Sequence, residues 1–162
     1  MERANVVQRI TQRVASTRPV AFIFRYTFHH VDRVLYRVLG RRTVSGFLAG
    51  VPNIMLTTTG ARSGQPRTVP LLGVPVEDGV AIVGTRFGSP HHPAWYHNLL
   101  ANPHAEMERD GTKSAVVARS VPDGPEYDAV MHAADAVYSG FPIYRRRITA
   151  RRVPIFVLQP PA

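Results

Sequence analysis

Two Asp-Gly pairs, at residues 78–79 and 110–111, constrain the fold of this chain more than any other feature of its sequence. Each pair separates two runs rich in β-branched and apolar residues, and Asp-Gly in that setting is a strong signal for a tight β-hairpin. The strands expected around the two turns are 67–76, 80–86, 105–109 and 112–121. Since 14 prolines and 12 glycines also favour short strands and turns, a purely helical bundle is not expected.

The segments around the hairpins complete the pattern. Extended runs at 54–59 and 153–158 predict two further strands. A short helix is expected at 94–101, and Asp123 with Glu126 resembles a capping box for a helix that runs to about residue 138. Another helical piece is expected at 143–147. Six strands joined mostly by hairpins predict an α+β fold, an antiparallel barrel with helices packed outside.

The N-terminal part of the chain has a helical rather than an extended period. Val6, Ile10 and Val14 recur every four residues, and a second helix is expected from Pro19 to about residue 39, with arginines on one face. We therefore divide the chain into an N-terminal helical segment, 1–45, and a barrel domain, 46–162. The basic helix either packs its apolar stripe on the barrel or lies on an anionic membrane surface.

The net charge of +9 indicates an anionic partner, which could be nucleic acid, lipid headgroups or an acidic small molecule. No nucleic-acid-reading motif is recognised, so nucleic acid is not expected. The first residues lack the apolar core of a secretion signal. The longest apolar run of the whole sequence, 46–56, is too short to cross a bilayer. A cytoplasmic protein is expected, membrane-peripheral at most.

Metal and thiol chemistry are not expected. The chain has no cysteine, which excludes disulfides, thiolate metal ligands and cysteine nucleophiles. His91 and His92 are adjacent, so they point to different sides, and no nearby carboxylate joins them and His97 in a ligand set.

Four segments are candidate functional sites, and each also has a purely structural interpretation. In 60–67, two glycines, Ser63 and two arginines could hold a phosphate, or the segment is a plain hairpin loop. In 83–89, glycines leave room for a planar ligand beside Arg86, or Arg86 is a solvated charge. Trp95 and Asn98 share one side of a helix and could contact a ring, or they belong to the core and cap a loop. Tyr138, Phe141 and Tyr144 could cover a substrate pocket, or they pack in the core.

Three segments of the chain, taken together and in order, resemble the deazaflavin-dependent nitroreductase family. They are residues 57–67, TTTGARSGQPR; residues 93–103, PAWYHNLLANP; and residues 149–155, TARRVPI. The resemblance runs from about residue 50 to the end and implies a split β-barrel, monomeric or homodimeric, that binds coenzyme F420. This cofactor is anionic, which accounts for the basic charge. FMN is the alternative cofactor.

The resemblance also implies site residues. The expected cofactor contacts are Ala61, Arg62, Ser63, Arg67, Thr68, Val69, Pro70, Leu71, Leu72, Val83, Gly84, Thr85, Arg86, Ala94, Trp95, Tyr96, His97 and Asn98. The expected catalytic residues, which line the acceptor site, are Thr85, Tyr138 and Tyr144. Phe141 departs from the family pattern because it lacks a hydroxyl, and Ala61 replaces a residue that is frequently basic.

The function implied is that of an F420H2-dependent oxidoreductase, which transfers a hydride to an electron-poor acceptor such as a quinone, an enone or a nitro compound. Two alternatives remain. The chain could be an FMN-dependent oxidoreductase on the same fold, or a non-catalytic protein that binds a cofactor or a lipid.

Overall fold

A computed structural model describes residues 52–161 of the chain. The expected N-terminal helices, and the boundary at residue 45, lie outside these residues. The strands are β1 Asn53–Thr59, β2 Pro66–Val76, β3 Gly79–Val83, β4 His104–Arg109, β5 Thr112–Ser120 and β6 Ile155–Gln159. The helices are α1 Ala94–Ala101, α2 Pro125–Val137 and α3 Phe141–Arg147. A single tight turn, Arg86–Gly88, follows β3 and is called the 86–88 turn below.

The six strands close into a barrel in the order β1-β2-β3-β6-β5-β4, and every neighbouring pair is antiparallel. β1 closes the barrel because it pairs with β2 on one side and with β4 on the other. Leu56, for example, lies opposite Val69 and Met107. The predicted α+β antiparallel barrel, with its two Asp-Gly hairpins, is confirmed.

Most boundaries lie within two residues of those expected, and two features differ more, each for a physical reason. β3 ends at Val83 and not at residue 86, because the backbone leaves the extended region at Thr85 (φ −71°, ψ −28°) and is left-handed at Arg86 and Phe87 (φ 45° and 56°). The capping box is absent: α2 begins after Gly124, without a side-chain cap. The two acids expected to form it bind arginines instead, Asp123 to Arg152 and Glu126 to Arg119.

The apolar side chains of the strands form two layers. The barrel interior is filled from several strands by Ile54, Leu56, Ile82 and Phe156, among others, together with Trp95 and Leu99 of α1. A second cluster lies between the barrel and helices α2 and α3. β6 supplies both layers, since alternate residues of a strand point to opposite faces. The two clusters fix α1, α2 and α3 on the strands from which the candidate site is built.

Within residues 52–161, no helix is both long and apolar enough to cross a membrane.

Candidate functional site

The loop between β1 and β2 is a rigid turn. The Gly60 amide donates to the Gln65 carbonyl (2.9 Å), and the Gly64 amide donates to the Gly60 carbonyl (2.8 Å). A Cβ at Gly60 would lie 2.7 Å from Ser63 Oγ and 3.1 Å from the Gln65 carbonyl oxygen, so this turn needs a glycine. Ala61, Arg62 and Ser63 are exposed at its tip. The sequence therefore builds a fixed loop that presents these residues to solvent.

Two arginines of the loop region have no counter-charge among residues 52–161. Arg62 lies at its tip and Arg67 at the start of β2, and both are exposed. Neither guanidinium pairs with a carboxylate of residues 52–161. Ser63 Oγ accepts the Gln65 amide (3.3 Å), which leaves its own proton free for a ligand. Two unpaired guanidinium groups and a hydroxyl form a donor set that suits phosphate or carboxylate oxygens.

Asn98 fixes this loop from below. It lies in α1 and is only 7% exposed. Its Nδ2 donates to Thr58 Oγ1 (2.9 Å), and its Oδ1 accepts the Ala61 amide (3.0 Å). Both polar groups of Asn98 are thus bonded within the protein, as in the alternative that it caps a neighbouring loop.

Helix α1 presents only part of its surface. Trp95 is 5% exposed and packs edge-on against Phe156 in the barrel interior (ring centroids 6.1 Å apart), so its ring belongs to the core. Ala94 and His97 are exposed, and Tyr96 is half-buried and stacked on His92 at 4.2 Å. Besides Asn98, four residues of α1 are expected to contact the cofactor. Three of them, Ala94, Tyr96 and His97, reach solvent.

The rest of β2 and the end of β3 are half-buried, with Val69 and Leu71 packed towards the barrel interior and Leu72 and Val83 towards α2 and α3. Arg67 and Thr68 are exposed, and the Thr68 hydroxyl bonds that of Thr57 (2.8 Å). The next residues of β2 are half-buried, as is the last residue of β3: Val69, Pro70, Leu71, Leu72 and Val83. Gly84 makes its close approach to Pro154, since a Cβ there would lie 2.6 Å from the Pro154 ring. A cationic end thus adjoins a half-buried apolar stretch of the same strand.

The 86–88 turn is strained. Arg86, Phe87 and Gly88 have φ of 45°, 56° and 82°, and the left-handed region costs a residue with a Cβ about 1–2 kcal/mol. Arg86 donates to the His92 carbonyl (3.0 Å), and Phe87 is 42% exposed. Thr85, which precedes the turn, is buried. A strained backbone persists only where the surroundings hold it in place.

Arg151 is the residue that the sequence analysis missed. Its guanidinium donates to the carbonyls of Thr85 and Ser89, both at 3.1 Å, and to that of Arg152 at 3.2 Å. Burial, and then the charge of Arg86, lower the pKa of Arg151. The only available signal was its place in segment 149–155.

The tyrosines expected in the acceptor site lie together beneath this turn. The hydroxyls of Tyr138 and Tyr144 are 3.2 Å apart, and Phe141 contacts the Tyr138 ring edge-on. Tyr144 is 3% exposed, and Phe87 covers it edge-on at 5.7 Å. Burial raises the pKa of both hydroxyls. They therefore stay protonated and can serve only as neutral hydrogen-bonding groups.

A second titratable group beside the turn is His92. Burial, then the charges of Arg151 and His97, lower its pKa. Among residues 52–161, no three histidine or acidic side chains are grouped so that they could hold a metal ion.

Comparison with known proteins identifies the family of this chain. The family model for F420H(2)-dependent quinone reductase matches residues 26–160. The F420H(2)-dependent quinone reductase Rv1261c of Mycobacterium tuberculosis is 33% identical over 126 residues, which are 76% of this chain and 84% of that protein. The putative F420H(2)-dependent quinone reductase Mb1292c of Mycobacterium bovis matches to the same extent.

Solved structures agree in fold. The F420-H2-dependent reductase FDR-A superposes with a TM-score of 0.60 at 33% identity, over 67% of this chain and 94% of that chain. A protein described as a domain-swapped dimer superposes with a TM-score of 0.62 at 30% identity, over 82% of this chain and 98% of that chain. The split β-barrel and the cofactor expected from the sequence are both confirmed, and quinone reductase is a narrower family than the nitroreductases named above.

Since the family model covers most of the chain, the protein belongs to the F420H2-dependent quinone reductase family and is an oxidoreductase that transfers a hydride from reduced coenzyme F420 to an electron-poor acceptor.

Proposed function

We propose that this enzyme reduces a quinone, and that the 60–67 segment, β2, the 86–88 turn and the exposed side of α1 together bind coenzyme F420. The observation that carries the assignment is a pair of exposed arginines, Arg62 and Arg67, that pair with no carboxylate of residues 52–161 and lie on a hydrogen-bonded loop beside a half-buried strand. The relatives from Mycobacterium are named for quinone reduction, which favours a quinone over an enone or a nitro compound.

The 60–67 segment, β2, the 86–88 turn and α1 form the proposed cofactor groove. Its cationic end, at the 60–67 segment, binds the anionic groups of the cofactor. Arg62 and Arg67 form charge-assisted hydrogen bonds to its phosphodiester or its oligoglutamate tail, and Ser63 adds a hydroxyl donor. Asn98 acts through the loop, because its two hydrogen bonds fix the loop on α1. Arg86 is turned towards the His92 carbonyl and contributes its charge from the side.

The apolar part of the groove receives the ring system. Val69, Pro70, Leu71, Leu72 and Val83 are half-buried on the two faces of the strands, so each offers only its exposed edge, while Ala94, Tyr96 and His97 contribute from α1. When bound, the reduced cofactor supplies a hydride from its C5 carbon. The protein excludes water from that contact and orients the acceptor.

Quinone reduction also consumes a proton. Tyr138 and Tyr144 hold their protons because burial raises both pKa values, so we assign them to the wall of the acceptor site, behind Phe87, and not to proton release. Thr85, at the start of the 86–88 turn, is the third residue proposed for the acceptor site. Solvent supplies the proton that completes the hydroquinone.

The groove is tested by fluorescence titration of F420 into Arg62→Ala and Arg67→Ala, each of which we expect to lose about 1.5–3 kcal/mol of binding free energy. Arg109→Ala is the matched control, since Arg109 is exposed and lies at the end of β4 that pairs with the part of β1 farthest from the loop. Unchanged affinity in both loop variants would contradict the groove. Displacement of F420 by FMN would favour the FMN alternative.

The acceptor is tested separately in the wild-type enzyme. Oxidation of F420H2 is followed with a water-soluble benzoquinone, an enone and a nitroaromatic compound in parallel. We expect the highest kcat/KM with the quinone. Tight F420 binding without turnover of any acceptor would support a non-catalytic carrier.

We also propose a homodimer, supported by the similar fold described as a domain-swapped dimer. Light scattering after size-exclusion chromatography measures the mass directly. The cytoplasmic location and the contact of residues 1–45 with a membrane remain predictions. Liposome flotation of the chain with and without that segment tests the membrane contact.

A further inference from the structure

The strained 86–88 turn is held at both of its ends by one side chain. Arg151 Nη2 donates to the Thr85 carbonyl, just before the turn, and Arg151 Nε donates to the Ser89 carbonyl, just after it. The same guanidinium lies 3.5 Å from His92 Nδ1. Arg151 therefore spans the turn through two backbone carbonyls that are four residues apart.

The turn needs such support because its own hydrogen bonds are few. The Gly88 amide donates to the Thr85 carbonyl and the Ser89 amide to the Arg86 carbonyl, both at 3.0 Å. Two consecutive left-handed residues with side chains oppose these bonds. Gly88 adds a packing constraint, since a Cβ there would lie 2.9 Å from Arg147 Cβ. The turn is thus pressed against α3 in a conformation that its own residues disfavour.

The conformation of the turn decides where Phe87 lies. The Phe87 ring is held edge-on over Tyr144, whose hydroxyl bonds that of Tyr138. A right-handed backbone at Phe87 would send the side chain in another direction and uncover the tyrosine pair. An exposed phenylalanine in this position forms an outer wall beside the residues proposed for the acceptor site.

We propose that Arg151 is a positioning residue for the reaction: it holds the 86–88 turn left-handed and so keeps Phe87 in place as a wall of the acceptor site. The first half of this inference concerns the chain alone. The second half rests on the proposed function, because it takes Tyr138 and Tyr144 as lining the acceptor site.

The first half is tested without cofactor or acceptor. NMR hydrogen exchange of the Gly88 and Ser89 amides is measured in wild type, Arg151→Met, Arg151→Lys and Arg152→Met. We expect exchange to be about tenfold faster or more in Arg151→Met, as after loss of a charge-assisted hydrogen bond, with Arg151→Lys intermediate. Arg152→Met is the control, because Arg152 binds Asp123 and the Val121 carbonyl and not the turn. Equal exchange in all four proteins overturns the proposal.

The second half is tested by steady-state kinetics with the soluble benzoquinone. We expect the KM of Arg151→Met for the quinone to rise about fivefold or more, with a smaller change in kcat, since the wall binds the acceptor and takes no part in hydride transfer. Faster amide hydrogen exchange in Arg151→Met without a rise in its KM would overturn the role of Phe87 as a wall. If Arg151→Met fails to fold, Arg151→Lys carries both measurements.

A second substitution separates strain from the ring. Phe87→Gly in the Arg151→Met background removes the left-handed penalty at Phe87, though not that at Arg86, together with the aromatic wall. We expect slower exchange of the Gly88 amide than in Arg151→Met, but no recovery of KM. Recovery of KM without the ring would overturn the proposal. Wild-type enzyme that failed to bind F420 would refute the proposed function and leave the exchange result intact.

Discussion

At the scale of single residues, Asn98 joins two elements that are far apart in sequence. Its amide reaches Thr58 in β1 and Ala61 in the loop, 40 and 37 residues away. Because Asn98 is buried, water cannot replace these bonds without entering the interface between α1 and β1. The position of the arginine-bearing loop therefore depends on one side chain of a helix.

We predict that Asn98→Ala lowers the free energy of unfolding by about 1–3 kcal/mol, since it leaves buried polar groups unpaired. Urea denaturation measures the loss. Asn102→Ala is the matched control, because Asn102 also accepts a backbone amide, that of His104, but at an exposed site. Equal losses in the two variants would contradict the importance of burial at Asn98.

The loop that carries Arg62, Ser63 and Arg67 was predictable from sequence, because glycine-rich residues between two extended runs indicate a loop. The contacts of these side chains with a cofactor remain a prediction. Arg151 was not predictable, because its partners are backbone carbonyls 62 and 66 residues away, and a carbonyl leaves no trace in the residue types. Trp95 had two readings, and only packing against Phe156 shows that its ring is in the core.

At the scale of elements, the hairpin between β2 and β3 depends on Gly79. Its φ of 147° is rare for a residue with a Cβ, and a Cβ there would collide with the Leu158 carbonyl oxygen of β6. Gly124 has nearly the same φ, 145°, but a Cβ there would have no atom within 4 Å. A residue with a Cβ would be strained at either position, but only at position 79 would its Cβ also meet neighbouring atoms.

We predict that Gly79→Ala destabilises the protein more than Gly124→Ala does. Both variants carry about 1–3 kcal/mol of backbone strain. Gly79→Ala should lose about 1–3 kcal/mol more, since the new methyl group pushes β3 away from β6. Urea denaturation of both variants gives the difference. Equal losses would mean that the β3–β6 pairing adapts without cost.

The elements show the same division between local and distant causes. Both Asp-Gly hairpins were predicted, because turn chemistry is contained in a few adjacent residues. The prediction of a capping box was wrong, because Asp123 binds Arg152, 29 residues away, and not a backbone amide at the start of α2. The end of β3 was misplaced because Thr85 leaves the extended region and Arg86 and Phe87 are left-handed, which residue types with a Cβ do not signal.

At the scale of the whole molecule, the charge of +9 acts on any anionic ligand from a distance. We predict that raising the salt from about 50 mM to about 500 mM weakens F420 binding roughly tenfold, since exposed charges are screened over a few ångströms at high salt. Fluorescence titration measures the change. The double variant Arg62→Ala, Arg67→Ala should show a shallower dependence, and the KM for an uncharged quinone should change little. A salt effect of the same size in the double variant would locate the attraction elsewhere.

The position of β6 in the barrel has a consequence for biosynthesis. This strand follows the other five in the chain, yet it lies between β3 and β5 and pairs with both. While the ribosome is still making it, the nascent chain has two open strand edges that can pair with a neighbouring nascent chain. Closure must wait for the last strand to leave the exit tunnel, so the interval before its release is when this protein most needs chaperones.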